Sequence, residues 1–278
     1  MRKLFLATVL TIFCGGIVLA QDNKWQALEV EADTLLQRQD FKGAVKIYSK
    51  IIKGSKLNQT GFGALYKRAV CFYSLGEFEN ALKDLEVFMP AYPGSSQAHL
   101  LRAFVYRELG DNERTLIDLE EAVNLRPGDI ELLRWRASLY LDKGDYLLAK
   151  LDILEIRRNQ TDPELETYLG LAYYNLGHPD SALMVLNKAI ELDATYLPAY
   201  FYAASFCLQE EEYDLALKYI GIPLRLDPKN TTALFYKGVA LIEQKKLDEG
   251  CRCLNKAFYL GYDDAADYLK EYCYEVED

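Results

Sequence analysis

Residues 169–186 read Leu169-Gly170-Leu171-Ala172-Tyr173-Tyr174-Asn175-Leu176-Gly177-His178-Pro179-Asp180-Ser181-Ala182-Leu183-Met184-Val185-Leu186. The small residue Gly170 is followed three places on by the aromatic Tyr173, and twelve places on by Ala182, which has Leu186 four residues later. Each half carries a 3.6-residue apolar period, and Gly177-His178-Pro179 between them breaks a helix, so the stretch encodes two short helices joined by a tight turn. The pattern recurs along the chain. Its first small residue falls at Ala32, Ala69, Ala103, Ala137, Gly170, Ala204 and Gly238, and its second at Ala44, Ala81, Thr115, Ala149, Ala182, Ala216 and Gly250. The large residue four after the second is Tyr48, Leu85, Leu119, Ile153, Leu186, Ile220 and Leu254. Pro93, Pro127 and Pro228 close units at one phase, and Pro163 opens one.

Small residues on both helices let the backbones approach, and the large residue one turn away fills the space beside them. Seven such units in phase, over about residues 25–260, resemble the tetratricopeptide repeat family, with the stretch around Gly170 the nearest match. The fold predicted is all-α: a right-handed α-solenoid of seven antiparallel helix pairs over residues 21–260, followed by a capping helix and acidic tail over 261–278. In the cap, Tyr268, Leu269 and Tyr272 are predicted to cover the last unit, with Asp264, Asp267, Lys270, Glu271 and Glu275 facing water. Gln39 stands where a turn glycine is expected, Gly250 stands for the usual alanine, and Gly54 to Gly63 reads as a longer loop.

The chain has 278 residues, with 32 Lys and Arg against 42 Asp and Glu, a formal charge of −10 that argues against nucleic-acid binding. Half the residues are hydrophobic, a globular balance. Arg2 and Lys3 precede an apolar run from Leu4 to Phe13, and Val18-Leu19-Ala20 resembles a cleavage site before Gln21, so residues 1–20 read as a secretory signal peptide. An uncleaved anchor and acylation at Cys14 stay open, although Phe13 is unusual before an acylated cysteine. Export to the periplasm or cell envelope is the expectation, and loss of Arg2 and Lys3 would take the formal charge from −10 to −12. Asp263 to Asp278 holds seven acids and one lysine, half of that excess.

Little in the sequence could carry catalysis. Only His99 and His178 are histidines, without metal-ligand spacing, and nucleophile-elbow, zinc-protease and phosphate-loop motifs do not occur. The chain is therefore read as a non-enzyme without cofactor, metal or evident small-molecule substrate; Glu210, Glu211 and Glu212 read as a solvated turn. Cys71 and Cys207 occupy repeat positions suited to small buried hydrophobes. Cys273 is placed to pair with Cys251 or Cys253, which lie on different faces of one helix. Sequons begin at Asn58, Asn159 and Asn230.

The resemblance implies a concave face lined by first helices, whose inward positions lie three before, one after and four after the first small residue. These are Tyr66, Val70 and Tyr73; Leu100, Phe104 and Arg107; Arg134, Ser138 and Leu141; Thr167, Leu171 and Tyr174; Phe201, Ser205 and Leu208; and Phe235, Val239 and Ile242. A mostly apolar groove with two arginines suits a protein or peptide partner with apolar anchors and a carboxylate. Closure by a second copy, as a homodimer, and packing between first helices remain alternatives. The Lys and Asn clamp by which some family members hold chaperone C-termini is missing, since Glu29, Asp33, Tyr66, Val70, Leu100 and Phe104 occupy its places. The function predicted is a scaffold or adaptor of the cell envelope, with a periplasmic chaperone or accessory subunit as the alternative.

Overall fold

The computed structural model describes residues 24–55 and 59–274, which are helical apart from short turns. The signal peptide, Cys14, Asn58, Glu275 and the end of the acidic tail lie outside the described residues. Two units divide the chain at Leu132 and Leu133. The first contains α1 (24–37), α2 (Phe41–Ser55), α3 (Gln59–Ser74), α4 (Phe78–Phe88), α5 (Ser96–Glu108) and α6 (Asn112–Leu125). The second takes nearly all of α7 (Ile130–Lys143), then α8 (Tyr146–Arg157), α9 (Pro163–Asn175), α10 (Pro179–Leu192), α11 (Leu197–Gln209) and α12 (Tyr213–Leu226). It closes with α13 (Thr231–Glu243), α14 (Leu247–Tyr259) and α15 (Ala265–Tyr272). None of the described helices is long and apolar enough to cross a membrane.

Both small residues of every repeat are buried, as is the large residue that follows the second. The contact is close. A Cβ placed on Gly170 would stand 2.8 Å from Leu186 Cγ, and one on Gly238 2.7 Å from Leu254 Cγ. Thr115 fits an alanine position because its hydroxyl donates to the Asp111 carbonyl one turn back at 2.8 Å. At Gly250 the reason for glycine is the backbone itself: a Cβ there would lie 2.9 Å from the Gly238 carbonyl oxygen and 2.6 Å from Ile242 Cγ1.

Between the two helices of each repeat the chain turns through one left-handed residue, Gly76, Gly110, Gly144 and Gly177 in four repeats and Gln39, Glu211 and Lys245 in the others. The next amide then returns to the first helix, as Asp111 N donates to the Tyr106 carbonyl at 2.9 Å. Ser95, Asp111, Asp162 and Asn230 cap helix N-termini with their side chains. Asn230 therefore has a structural task in its loop.

Two expectations change. The stretch Gly54 to Gly63, read as a loop, is helical through Ser55 and again from Gln59. Gly54 belongs to α2 because its missing side chain leaves room for the Trp25 ring, which a Cβ would meet at 2.1 Å. In the cap, Ala265 and Leu269 are buried beside the half-buried Tyr268, whereas Tyr272 is exposed. The cap is stapled by a Cys251–Cys273 disulfide with a Cα–Cα separation of 5.6 Å, leaving Cys253 a free thiol. Closing a loop with a sequence separation of 22 stabilises the folded chain by about 3 kcal/mol.

Two substitutions toward the common repeat residue should have opposite signs. Gly250→Ala, which restores the usual residue, should destabilise by about 1–3 kcal/mol because the backbone cannot yield. Lys245→Gly should stabilise by roughly 0.5–1 kcal/mol by relieving a left-handed lysine. Urea unfolding of both variants checks the two signs.

Candidate binding faces and the ion pairs behind them

First helices lie side by side within each unit, α3 with α5 in the first and α9, α11, α13 and α15 in order in the second. Aromatic pairs bridge them. Tyr73 meets Phe104 with ring centroids 6.2 Å apart, Tyr174 stacks on Phe206 at 3.9 Å, and Phe201 meets Tyr236 at 6.3 Å. Tyr66 packs on Phe88 at 5.5 Å, and Leu100 lies half-buried on the same first-unit row. Leu171 and Leu208 are half-buried on the second-unit row.

The last repeat differs, because α15 takes the place of a further first helix. Phe235 stacks on Tyr262 at 4.9 Å and meets Tyr268 edge-on at 5.4 Å. Ile242, placed by the sequence on the open face, is 2% exposed and belongs to the core that Leu269 closes. Leu141, Thr167 and Val239 are buried as well.

Neither arginine predicted to read a partner's carboxylate is waiting for one. Arg134 donates to Asp162 at 2.6 Å and to Glu164 at 3.3 Å, because Asp162, fixed as the cap of α9, stands beside it. Arg107 lies 5.0 Å from the centroid of the Phe104 ring and 3.2 Å from Glu108.

Behind the faces lies a feature that sequence reasoning missed. Arg68 and Asp84, Arg102 and Asp118, and Arg136 and Asp152 form two-pronged ion pairs at 2.6–2.8 Å, each spanning 16 residues. The arginine stands just before the first small residue and the aspartate three after the second, so each pair ties together the two helices of one repeat. All three aspartates are buried. His99 joins one of them, with Nδ1 3.0 Å from Asp118. The signal was visible: Arg and Asp recur in register through three consecutive repeats. In the other repeats the same two positions hold Glu31 and Ile47, Leu169 and Val185, Ala203 and Tyr219, and Lys237 and Cys253.

Residues 63–95 and 169–196 each match a family model described as tetratricopeptide repeat. The chain carries tetratricopeptide repeats. It is similar to a tetratricopeptide repeat and J domain-containing co-chaperone of Cryptococcus neoformans var. grubii, 36% identical over 72 residues, which span 26% of this chain and 13% of the co-chaperone. In fold it is similar to the C-terminal part of a repeat protein from Cytophaga hutchinsonii (TM-score 0.66, 20% identity, 87% of this chain and 99% of the other). A second neighbour is a tetratricopeptide repeat protein from Parabacteroides merdae (TM-score 0.58, 17% identity, 88% and 97%). A third is YrrB, described as having an unusual peptide-binding site (TM-score 0.50, 21% identity, 67% and 97%).

The thiols of Cys71 and Cys207 are free and buried. Burial, helped by Asp33, pushes the Cys71 thiol up to about 11, and burial, helped by Glu212, does the same at Cys207. The described residues hold no cluster of His, Cys, Asp and Glu suited to a metal.

Asp162 shows how the ion pairs couple to pH. Burial opposes its ionisation, but the Arg134 guanidinium and the Leu165 amide prevail and hold the carboxyl below its ordinary range. A depressed folded-state pKa contributes stability that is complete above the ordinary carboxyl value of about 4 and is lost as pH falls through the lowered one. Asp162→Asn keeps the cap and removes the charge. Its melting temperature should fall below the parent's at pH 7 and converge with it near pH 2, as read by circular dichroism.

Proposed function

We propose that the chain is a non-enzymatic scaffold or adaptor, exported by residues 1–20 to the periplasm or cell envelope, that holds a partner polypeptide on its first-helix faces. The observation that carries this reading is the rows of half-buried aromatic and aliphatic side chains on α3 and α5, and on α9 and α11, which packing inside each unit leaves partly open. Such rows are where helical-repeat proteins present extended binding surfaces. The peptide-binding neighbour with the same fold agrees with it, as does the basic and apolar character of the leader.

Because Arg134 and Arg107 are engaged internally, the partner's anchors on these rows are apolar side chains, with affinity concentrated at a few aromatic contacts. Crosslinking and mass spectrometry on the natively exported protein identifies the partner. Phe104→Asp and Phe201→Asp, each in its own unit, should weaken capture at least about tenfold while the helical circular dichroism is retained. Undiminished capture by both variants contradicts the proposal.

A further inference from the structure

Lys237 occupies the position that holds Arg68, Arg102 and Arg136 in three earlier repeats, but its surroundings are different. There, a buried aspartate 16 residues on neutralises the cation, and an aromatic ring four residues on lies under two of the guanidiniums, Phe72 at 5.6 Å from Arg68 and Tyr140 at 5.7 Å from Arg136. Here the residue 16 on is Cys253 and the residue four on is Leu241. Burial pushes the Cys253 thiol up against the opposing influence of Lys237, so the thiol stays neutral and supplies no counter-charge. Among the described residues Lys237 makes neither an ion pair nor a hydrogen bond.

That cation borders a cleft of about 390 Å³ between α12 and α13. Leu217, Ile220, Leu224 and Leu241 form its apolar walls, and Arg225 provides a second cation, also without an ion pair or hydrogen bond among the described residues. Lys237 is half-buried and Arg225 exposed at the rim, in a half of the chain where residues 133–278 hold 25 acids against 16 bases, a formal −9. The cleft is kept open by Gly221. A glycine inside a helix is unfavourable relative to alanine, and Gly170, Gly238 and Gly250 are explained by crowding. Gly221 is not, since a Cβ there would meet nothing within 4 Å. A side chain at 221 would project into the open space beside the cleft.

We propose that this cleft binds an amphipathic anion, a short aliphatic chain ending in a carboxylate. The chain lies against the leucine and isoleucine walls over Gly221, and the carboxylate takes the place of the aspartate that the repeat lacks, between Lys237 and Arg225. An acyl chain and the C-terminus of a polypeptide ending in leucines offer this same chemistry. The proposal is independent of the aromatic rows, which use other faces of the first helices.

Isothermal titration of the exported chain with octanoate, octan-1-ol, octylammonium, and a hexapeptide ending Ala-Leu-Leu as free acid or amide tests it. Saturable one-to-one binding is expected for octanoate, the free-acid peptide or both; octanoate alone assigns an acyl source, and the free-acid peptide alone assigns a polypeptide C-terminus. Lys237→Met and Gly221→Leu should weaken the anion at least about tenfold, whereas Lys218→Met, on the exposed side of α12, should not. Cys253→Asp should weaken it equally by restoring an internal counter-ion, with the thermal unfolding transition kept or raised. If Gly221→Leu fails to fold, the lysine and cysteine variants decide the matter. Equal binding of the alcohol, the ammonium or the amide, no saturable binding of either anion, or binding unchanged in Lys237→Met and Cys253→Asp would overturn the proposal.

Discussion

The distance at which paired helices pass one another governs this protein. It is short enough that a Cβ at Gly170, Gly238 or Gly250 would collide with the neighbouring helix. Much else follows from that constraint. Only alanine, glycine or a back-bonded threonine fits the two contact positions, and the large residue one turn later is driven into the remaining space, where all seven are buried. Helices this close need an abrupt connection, so a left-handed residue appears at every turn, even where it must be Gln39, Glu211 or Lys245. Each pair still leaves an apolar side uncovered, and only the next pair or α15 can close it.

Given a shared contact, repeats differ in what stands beside it. The positions just before the first small residue and three after the second face each other across the pair. They hold a buried ion pair in three repeats, apolar or aromatic side chains in two, Glu31 with Ile47 in the first, and a lysine without its acid in the last. A buried ion pair gains from two-pronged geometry but loses heavily if one partner is removed, by about 3–5 kcal/mol. Arg and Asp are therefore bound to appear together, and a cation without its acid marks a place where something other than packing sets the residue.

The repeat register was legible because it is dictated by local crowding: small residues 33 to 37 apart, glycine at turns and proline at ends can be read without knowing the neighbours. Departures came where a distant side chain decided the outcome. Gly54 and Gly61 look like loop residues until Trp25 and the α2–α3 packing are known. Arg134 looks like a ligand for a partner's carboxylate until Asp162, 28 residues away, is seen to cap α9 beside it. Ile242 has the same repeat position as Leu208, yet the cap beyond it buries one and not the other. The Arg and Asp pairs were present in the sequence as a 16-residue recurrence, hidden because charged residues in helices are usually solvated.

Hydrogen exchange resolved helix by helix in Ala182→Leu is the most direct test of the close-approach constraint. Ala182 sits opposite Gly170 in the second unit, with its carbonyl 3.4 Å from where a Gly170 Cβ would stand. The bulkier side chain should force α9 and α10 apart, so protection should fall in those helices and in α11, and be retained in α13 to α15. Protection unchanged in α9 and α10, or lost uniformly from α9 to α15, would contradict a fold held together by nearest-neighbour contacts through these small residues.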